Sequence, residues 1–203
     1  MYTPNHYKFS NNQEMIAFMK RYSFATIVTN IDQKPVATQL PFVIKDNGDR
    51  LSLSSHFARA NEQALYIDKQ QSLIIFSEPH AYISPAHYDK KDSVPTWDYM
   101  AVHAYGIATT IEDEAGKLKL LEQMIGFYEP AYQGQWNELP DKFKNGMLKG
   151  IVAFELEVTE LQGQKKLSQN KTAAERQRII EQLQHSDSGV ARDIAAYIRE
   201  VDS

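Results

Sequence analysis

Val36-Ala37-Thr38-Gln39-Leu40-Pro41-Phe42-Val43-Ile44, then Asp46-Asn47-Gly48-Asp49, then Arg50-Leu51-Ser52-Leu53-Ser54-Ser55-His56: this stretch decides the fold class. Two β-rich runs flank a turn whose Asn-Gly pair suits the positive φ angles of a tight hairpin. Runs joined this closely are antiparallel neighbours, because a parallel pair needs a crossover of a dozen or more residues. Upstream, Ser23–Thr29 is another β-branched run, and Asp32-Gln33-Lys34-Pro35 turns it into the Val36 strand. A helix is expected over Asn11–Arg21, with Asn11 or Asn12 as cap and Met15, Ile16, Phe18 and Met19 as its apolar face. Downstream, the pattern predicts a helix over Ala58–Asp68 and strands over Gln71–Ser77, Val102–Ile111 and Gly150–Leu161. Further helices are expected over Leu118–Tyr128 and Asp141–Leu148, while Glu78–Thr96 reads as an ordered loop rich in aromatic and His residues. Lys171–Arg199 is polar and helix-rich, broken at Ser186-Asp187-Ser188-Gly189. The expectation is an α+β chain, mainly antiparallel β: a barrel with flanking helices over residues 1–163, and a C-terminal helical hairpin over 164–203 packed on the barrel or on a partner.

Composition narrows the function classes. The 203 residues are 42% hydrophobic and 24% charged, as in a globular protein with a real core. A net charge of −4 does not suggest a nucleic-acid binder, since neutralising phosphates takes a concentration of Lys and Arg, though it leaves room for local basic patches. With no cysteine, there are no disulfides, thiolate nucleophiles or Cys-ligated clusters. The start, Met1-Tyr2-Thr3-Pro4-Asn5, lacks a signal-peptide pattern, and no run approaches the ~20 apolar residues of a membrane span. A cytoplasmic location is expected.

Three constellations carry candidate chemistry. Leu51–Asn61 places Ser54, Ser55 and His56 at a strand end with Arg59 in the first turn of the expected helix. Hydroxyls, helix amides and a guanidinium suit a phosphate; a capped helix with a solvated Arg fits the same residues. Pro79–Tyr99 crowds His80, Tyr82, His87, Tyr88 and Trp97 together, which suits either a wall for a flat conjugated ring or aromatic packing at a barrel end or interface. His80, His87 and His103 follow no common zinc spacing, and no metal site is assigned. Lys165-Lys166-Leu167-Ser168-Gln169-Asn170-Lys171 reaches toward an anion, or is a solvated linker in which Ser168 or Asn170 caps the next helix. The tail resembles a helix-turn-helix only superficially. Its net charge over Lys171–Ser203 is −1, and Ile194, Ala195, Tyr197 and Ile198 look inward.

In order along the chain, Met1-Tyr2-Thr3-Pro4-Asn5-His6-Tyr7, Gln39-Leu40-Pro41-Phe42, His56-Phe57-Ala58-Arg59-Ala60-Asn61, Ala81-Tyr82-Ile83-Ser84-Pro85, Val94-Pro95-Thr96-Trp97-Asp98-Tyr99 and Lys166–Lys171 resemble the PaiB-type family of FMN-binding negative transcriptional regulators. Asp98 departs from the Asn usual in that family, and Ala86-His87 from a Ser-Trp pair. The resemblance implies a split β-barrel related to pyridoxamine 5′-phosphate oxidase, acting as a homodimer with FMN at the subunit interface. It implies that Arg59, with Ser54, Ser55, His56 and Asn61, grips the phosphate. Thr38, Gln39, Leu40 and Pro41 would line the isoalloxazine, and Trp97, Gln169 and Lys171 would close the site. The function implied is a transcriptional regulator or flavin-dependent sensor, with a small-molecule ligand conceivable and direct DNA contact unsupported by the charge. The alternatives are an FMN-dependent oxidoreductase, for which Asp98, His87 and Tyr88 are the acid–base candidates but no catalytic residue is assigned, and a haem-binding split barrel using His80, His87 or His103.

Overall fold

The computed structural model describes Met1–Asp202. β1 (Lys8–Phe9) and α1 (Asn12–Arg21) lead into β2 (Phe24–Ile31), β3 (Lys34–Pro41), β4 (Val43–Asp46) and β5 (Leu51–Ala58). β6 (Ser72–Phe76), β7 (His80–Ile83) and a long β8 (Thr96–Ile111) follow. Then come α2 (Glu114–Tyr128), α3 (Gln133–Glu138), α4 (Asp141–Lys149), a long β9 (Ile151–Lys166), α5 (Ala173–Gln184) and α6 (Gly189–Arg199). The strands form one sheet in the order β3-β2-β6-β8-β9-β5-β4, with β1 on β9 and β7 on β8. The chain divides into two compact units, each assembled from separated segments. One comprises Ile16–Phe76 and His103–Leu161; the other comprises Met1–Met15, Ser77–Val102 and Gln162–Ser203.

In the unit built from Ile16–Phe76 and His103–Leu161, β2 and β3 form a hairpin closed at Ile31↔Lys34. Both turn residues, Asp32 (φ 49°) and Gln33 (φ 65°), are left-handed, the geometry that matches strand twist but strains a side chain. Gln33→Gly is therefore expected to stabilise the protein by about 0.5–1 kcal/mol, read as a higher urea midpoint at constant slope; an unchanged or lower midpoint would count against strain at this turn. The expected single strand Val36–Ile44 is two strands. Pro41 has no N–H for the ladder, and Phe42 donates its own to the Ser23 carbonyl (2.9 Å) while its ring sinks fully into the core. That ring meets Phe76 and Phe154 edge-on. Past this kink the chain pairs with β5 from Val43↔Ser54 to Asp46↔Leu51, closed by Gly48 at φ 86°. The end strands β3 and β4 are thus joined by Phe42 alone, so the sheet here has to curl back on itself.

The helix expected over Ala58–Asp68 is not formed. β5 keeps pairing with β9 as far as Ala58↔Ile151, and the Arg59 N–H extends the ladder to the Gly150 carbonyl (2.8 Å). Only Glu62–Leu65 coil, as a single 3-10 turn capped by Asn61 Oδ1. Outside the sheet, Leu120 and Met124 of α2 bury themselves on Val43 and Ala153. The Tyr128 hydroxyl at the end of α2 bridges Ser23 Oγ (2.9 Å) and the Phe42 carbonyl (3.0 Å), holding the kink.

In the other unit, the expected loop Glu78–Thr96 contains β7, and β8 begins at Thr96, not Val102. His80-Ala81-Tyr82-Ile83 alternates exposed and buried, a period of two hidden by the surrounding Pro and His residues. β9 runs past Leu161 to Lys166 because β1 pairs with it at Phe9↔Gly163. A Cβ on Gly163 would sit 2.7 Å from the Phe9 carbonyl, so glycine is what admits that strand. Neither Ser168 nor Asn170 caps α5. Thr172 does, in a reciprocal capping box with Glu175, while Ser168 occupies a left-handed turn (φ 56°). Ser188 caps α6, and Ile179 and Leu183 of α5, with Ile194 and Ile198 of α6, are buried in the expected helical hairpin.

Candidate functional site

Strand β3 is an edge strand, hydrogen-bonded to β2 alone among the described residues. Alternate backbone N–H and C=O groups along Thr38–Pro41 therefore face away from any strand partner. Gln39 is exposed, Leu40 buried, and Thr38 and Pro41 intermediate. Thr38 is fixed by two bonds. Its Oγ1 donates to Gln63 Oε1 (2.7 Å) and accepts from Asn61 Nδ2 (3.0 Å), which brings two of the sequence-predicted residues together. Gln63, fully buried, anchors the pair to β2 by donating to the Ile27 carbonyl (3.2 Å) and Thr29 Oγ1 (3.0 Å).

Along β5, Ser54 and Ser55 are buried. Ser55 Oγ donates to the Pro41 carbonyl (2.7 Å), and Ser54 Oγ to Glu155 (3.3 Å). His56 Nδ1 is buried without a partner, and burial lowers the imidazole pKa, so the ring is neutral near pH 7. Arg59 is exposed, and backbone carbonyls set its direction: Nε donates to Lys149 (2.7 Å) and Nη2 to Ile151 (3.0 Å). Its Nη1 has no partner among the described residues. Arg59 borders a cleft of about 230 Å³ lined by Lys117, Lys149, Glu112 and Glu114. Sequence reading missed Lys117 and Lys149, because nothing local in a chain 58 residues or more downstream of Arg59 marks them as its neighbours. The first turn of α2, with Glu114 and Lys117, borders the same cleft.

The remaining predicted residues, Trp97, Gln169 and Lys171, belong to the other unit. Gln169 builds the turn after β9: Oε1 accepts from the Leu167 N–H (2.7 Å) and Nε2 donates to the Lys165 carbonyl (2.7 Å). Lys171 Nζ sits 3.5 Å from the Tyr88 ring centroid, a close cation–π contact. Between them, Ser168 Oγ donates to Asp98 Oδ2 (2.6 Å). Asp98 is completely buried, its Oδ1 has no partner, and Lys166 Nζ bonds to nearby Thr96. Burial outweighs the Ser168 bond and the attraction of Lys166 and Lys171, and pushes the Asp98 carboxyl up to about 6. The three histidines do not gather. His80 is exposed beside Trp97, His87 lies in the turn Pro85–His87, and His103 belongs to the other unit with Nδ1 unpartnered. Among the described residues, no three His, Asp or Glu side chains converge as a metal site would require.

Residues 1–160 match the family described as "Putative FMN-binding domain". The chain is 35% identical over 206 residues to "Protease synthase and sporulation protein PAI 2" of Bacillus subtilis, covering 98% of this chain and 97% of that protein. This chain belongs to the PaiB-type FMN-binding family. Among solved structures it is similar to a flavocytochrome from Azotobacter vinelandii (TM-score 0.59, 18% identity, 76% of this chain and 67% of that one). It is also similar to an FAD and heme binding protein from Mycobacterium smegmatis (TM-score 0.59, 13% identity, 78% and 73%). Such identities speak for the fold alone, and the fold is the split barrel that the resemblance implied. FMN is the cofactor of this family. The residues fit it: an edge strand offers backbone groups for a flavin's polar rim, the Pro41 carbonyl being already bonded to Ser55 Oγ, and Arg59 with two lysines against Glu112 and Glu114 leaves net positive charge for a phosphate.

Proposed function

We propose that this chain is a flavin-dependent regulator that acts on gene expression from the cytoplasm as a homodimer. The observation carrying this reading is the end-to-end match to a protein named for protease synthesis and sporulation, which extends past residue 160 through the helical hairpin. Bound FMN would supply reversible one- and two-electron chemistry. In this reading Arg59, Lys117 and Lys149 hold the phosphate, and the outward backbone groups of Thr38–Pro41 meet the ring's polar edge. Thr38 is presented at a fixed angle by Asn61 and Gln63. Lys171 reaches in from the partner protomer to close the site. With a net charge of −4 and a charge-balanced tail, regulation in this reading runs through a ligand or protein partner rather than through direct DNA contact.

Arg59→Ala is expected to weaken FMN binding by about 1.5–3 kcal/mol, the range for a hydrogen bond to a charged group, with Lys117→Ala weakening it in the same direction. Flavin fluorescence titration measures it, and an unchanged Kd removes Arg59 from the phosphate. For the regulatory role, transcript levels in cells carrying Arg59→Ala should match those of a deletion strain. Steady NAD(P)H consumption by the loaded protein, with no transcript change on deletion, would replace the regulator with an oxidoreductase. A monomer by ultracentrifugation of the loaded protein would sink the shared site.

A further inference from the structure

A second concavity lies within the unit formed by Met1–Met15, Ser77–Val102 and Gln162–Ser203. It follows from how β7 and β8 pair. In the register Tyr82↔Trp97, Ala81↔Asp98, one face of the hairpin buries Ala81, Ile83 and Asp98, and the opposite face presents His80, Tyr82 and Trp97. Tyr82 and Trp97 stay 52% and 54% exposed, with ring centroids 5.9 Å apart and nearly perpendicular. α6 packs against β7, and α5 against the turn Pro85–His87. The helices lean over the aromatic face without filling it, leaving a cleft of about 410 Å³.

We propose that this cleft is a binding site for a flat, conjugated, uncharged small molecule carrying a hydrogen-bond acceptor at its edge. Its size lies within the ~300–1,000 Å³ range of small-molecule pockets. One wall is the aromatic hairpin face; the other is aliphatic, from Ile179, Leu183 and Ala191. Among the described residues no Lys, Arg, Asp or Glu side chain lines it; the titratable groups there are the His80 and His87 imidazoles. A neutral ligand therefore meets no fixed charge, while a carboxylate ligand would have only those two imidazoles to pair with. The polar end has a definite sense. Ser186 Oγ accepts from the Ser188 N–H (3.2 Å), and Ser188 Oγ accepts from the Ala191 N–H (3.4 Å). Each hydroxyl thereby keeps its proton free to donate, and the start of α6 adds the positive end of its dipole to the same spot. A ring nitrogen or ring carbonyl is the complement to that end, and the π-faces of Trp97 and Tyr82 are the complement to the ring. The inference goes beyond the flavin reading: of the residues expected at FMN, Trp97 alone lines this cleft, and Arg59, Thr38–Pro41, Gln169 and Lys171 do not.

Phenazine, neutral, tricyclic and bearing ring nitrogens, is the probe. Calorimetric titration into FMN-saturated full-length protein should give saturable one-to-one binding with FMN retained. Ala191→Phe, which fills the cleft, should weaken phenazine at least about tenfold while leaving FMN affinity unchanged, and Trp97→Ala, which removes a stacking wall, should weaken phenazine by a similar factor. Absence of saturable binding overturns the proposal, and so does binding undiminished in Ala191→Phe. Displacement of FMN by phenazine would mean a single shared site and also overturns it. Tighter binding of phenazine-1-carboxylate than of phenazine would overturn the assignment to uncharged ligands. A protein that fails to bind FMN but binds phenazine as described leaves this proposal standing and removes the flavin assignment instead.

Discussion

Replacing Asp98 by Asn is expected to make the protein more stable near neutral pH, by up to about 3 kcal/mol, and to leave it nearly unchanged near pH 4. The carboxyl is fully buried, with one hydrogen bond from Ser168 and an unpartnered Oδ1. Burial raises its pKa from 3.8 to about 6, against the opposing pull of Ser168, Lys166 and Lys171. Burial raises the Tyr7 and Tyr88 hydroxyl pKa values, and the charge of the same carboxyl pushes them further in that direction. The sign follows from proton counting. Between those two values the folded chain holds a proton that the unfolded chain has released, so stability falls as pH rises through the window and stays low above it. About two pKa units at 1.36 kcal/mol each set the size. Asn keeps an acceptor for Ser168 and never ionises. Other groups bend the profile the opposite way, Glu175 among them, its carboxylate held low mainly by the Asp89 and Thr172 N–H groups. The informative quantity is therefore the difference between the two proteins, from urea unfolding at several pH values. Parallel profiles would show that Asp98 does not titrate in this window.

The same residue shows how much of the molecule was legible in the sequence. The β4–β5 hairpin is written locally, in Asn47-Gly48 between alternating runs, and the structure forms it there. The helical hairpin is likewise written in periodicity and a break. What defeated local reading was pairing between distant segments. Ala58–Asp68 has helical composition, yet β9, some 90 residues away, keeps Ala58 in a strand. Likewise β1 extends β9 past Leu161, which converts an expected basic linker into a strand end with a shaped turn. In the candidate site the motif residues were legible as a set, while their individual bonds were not. Arg59 was visible, but the carbonyls of Lys149 and Ile151 that aim it, and the lysines that join it, are brought in by the fold. Ser54 and Ser55, which read as candidate phosphate-binding hydroxyls at a strand end, are buried and bonded within the sheet. The Asp at 98 was visible as a departure from the family, and only its burial turns that departure into a proton-dependent term.

Gln63→Leu is expected to cost about 2–4 kcal/mol of stability, because it strips a partner from the buried Ile27 carbonyl and Thr29 hydroxyl and from the half-buried Thr38 hydroxyl. The Gln63 side chain is wholly buried, and its hydrogen bonds tie the turn Glu62–Leu65 to both β2 and β3. In the variant, Thr38 Oγ1 loses the acceptor at 2.7 Å, and Thr29 Oγ1 keeps only its contact with Ser72 Oγ (2.8 Å). Leu matches Gln in bulk closely enough that no large cavity opens, so the loss reports on polar satisfaction rather than on packing. The test that separates these is a cycle with Thr38→Val. If unmet hydrogen bonding at Thr38 dominates, removing its hydroxyl as well should return part of the loss, and the double variant should be more stable than the sum of the singles allows. Strict additivity would locate the cost in the Ile27 and Thr29 contacts. A Gln63→Leu protein within about 0.5 kcal/mol of the wild type would mean the network contributes little. Flavin binding gives a second readout. Thr38 begins the edge segment proposed to meet the ring, and Asn61 alone would still hold it in Gln63→Leu. FMN affinity should therefore fall in that variant even under conditions where it remains fully folded. Retained affinity in a folded, destabilised protein would confine Gln63 to the scaffold and leave the flavin contacts to the backbone of β3.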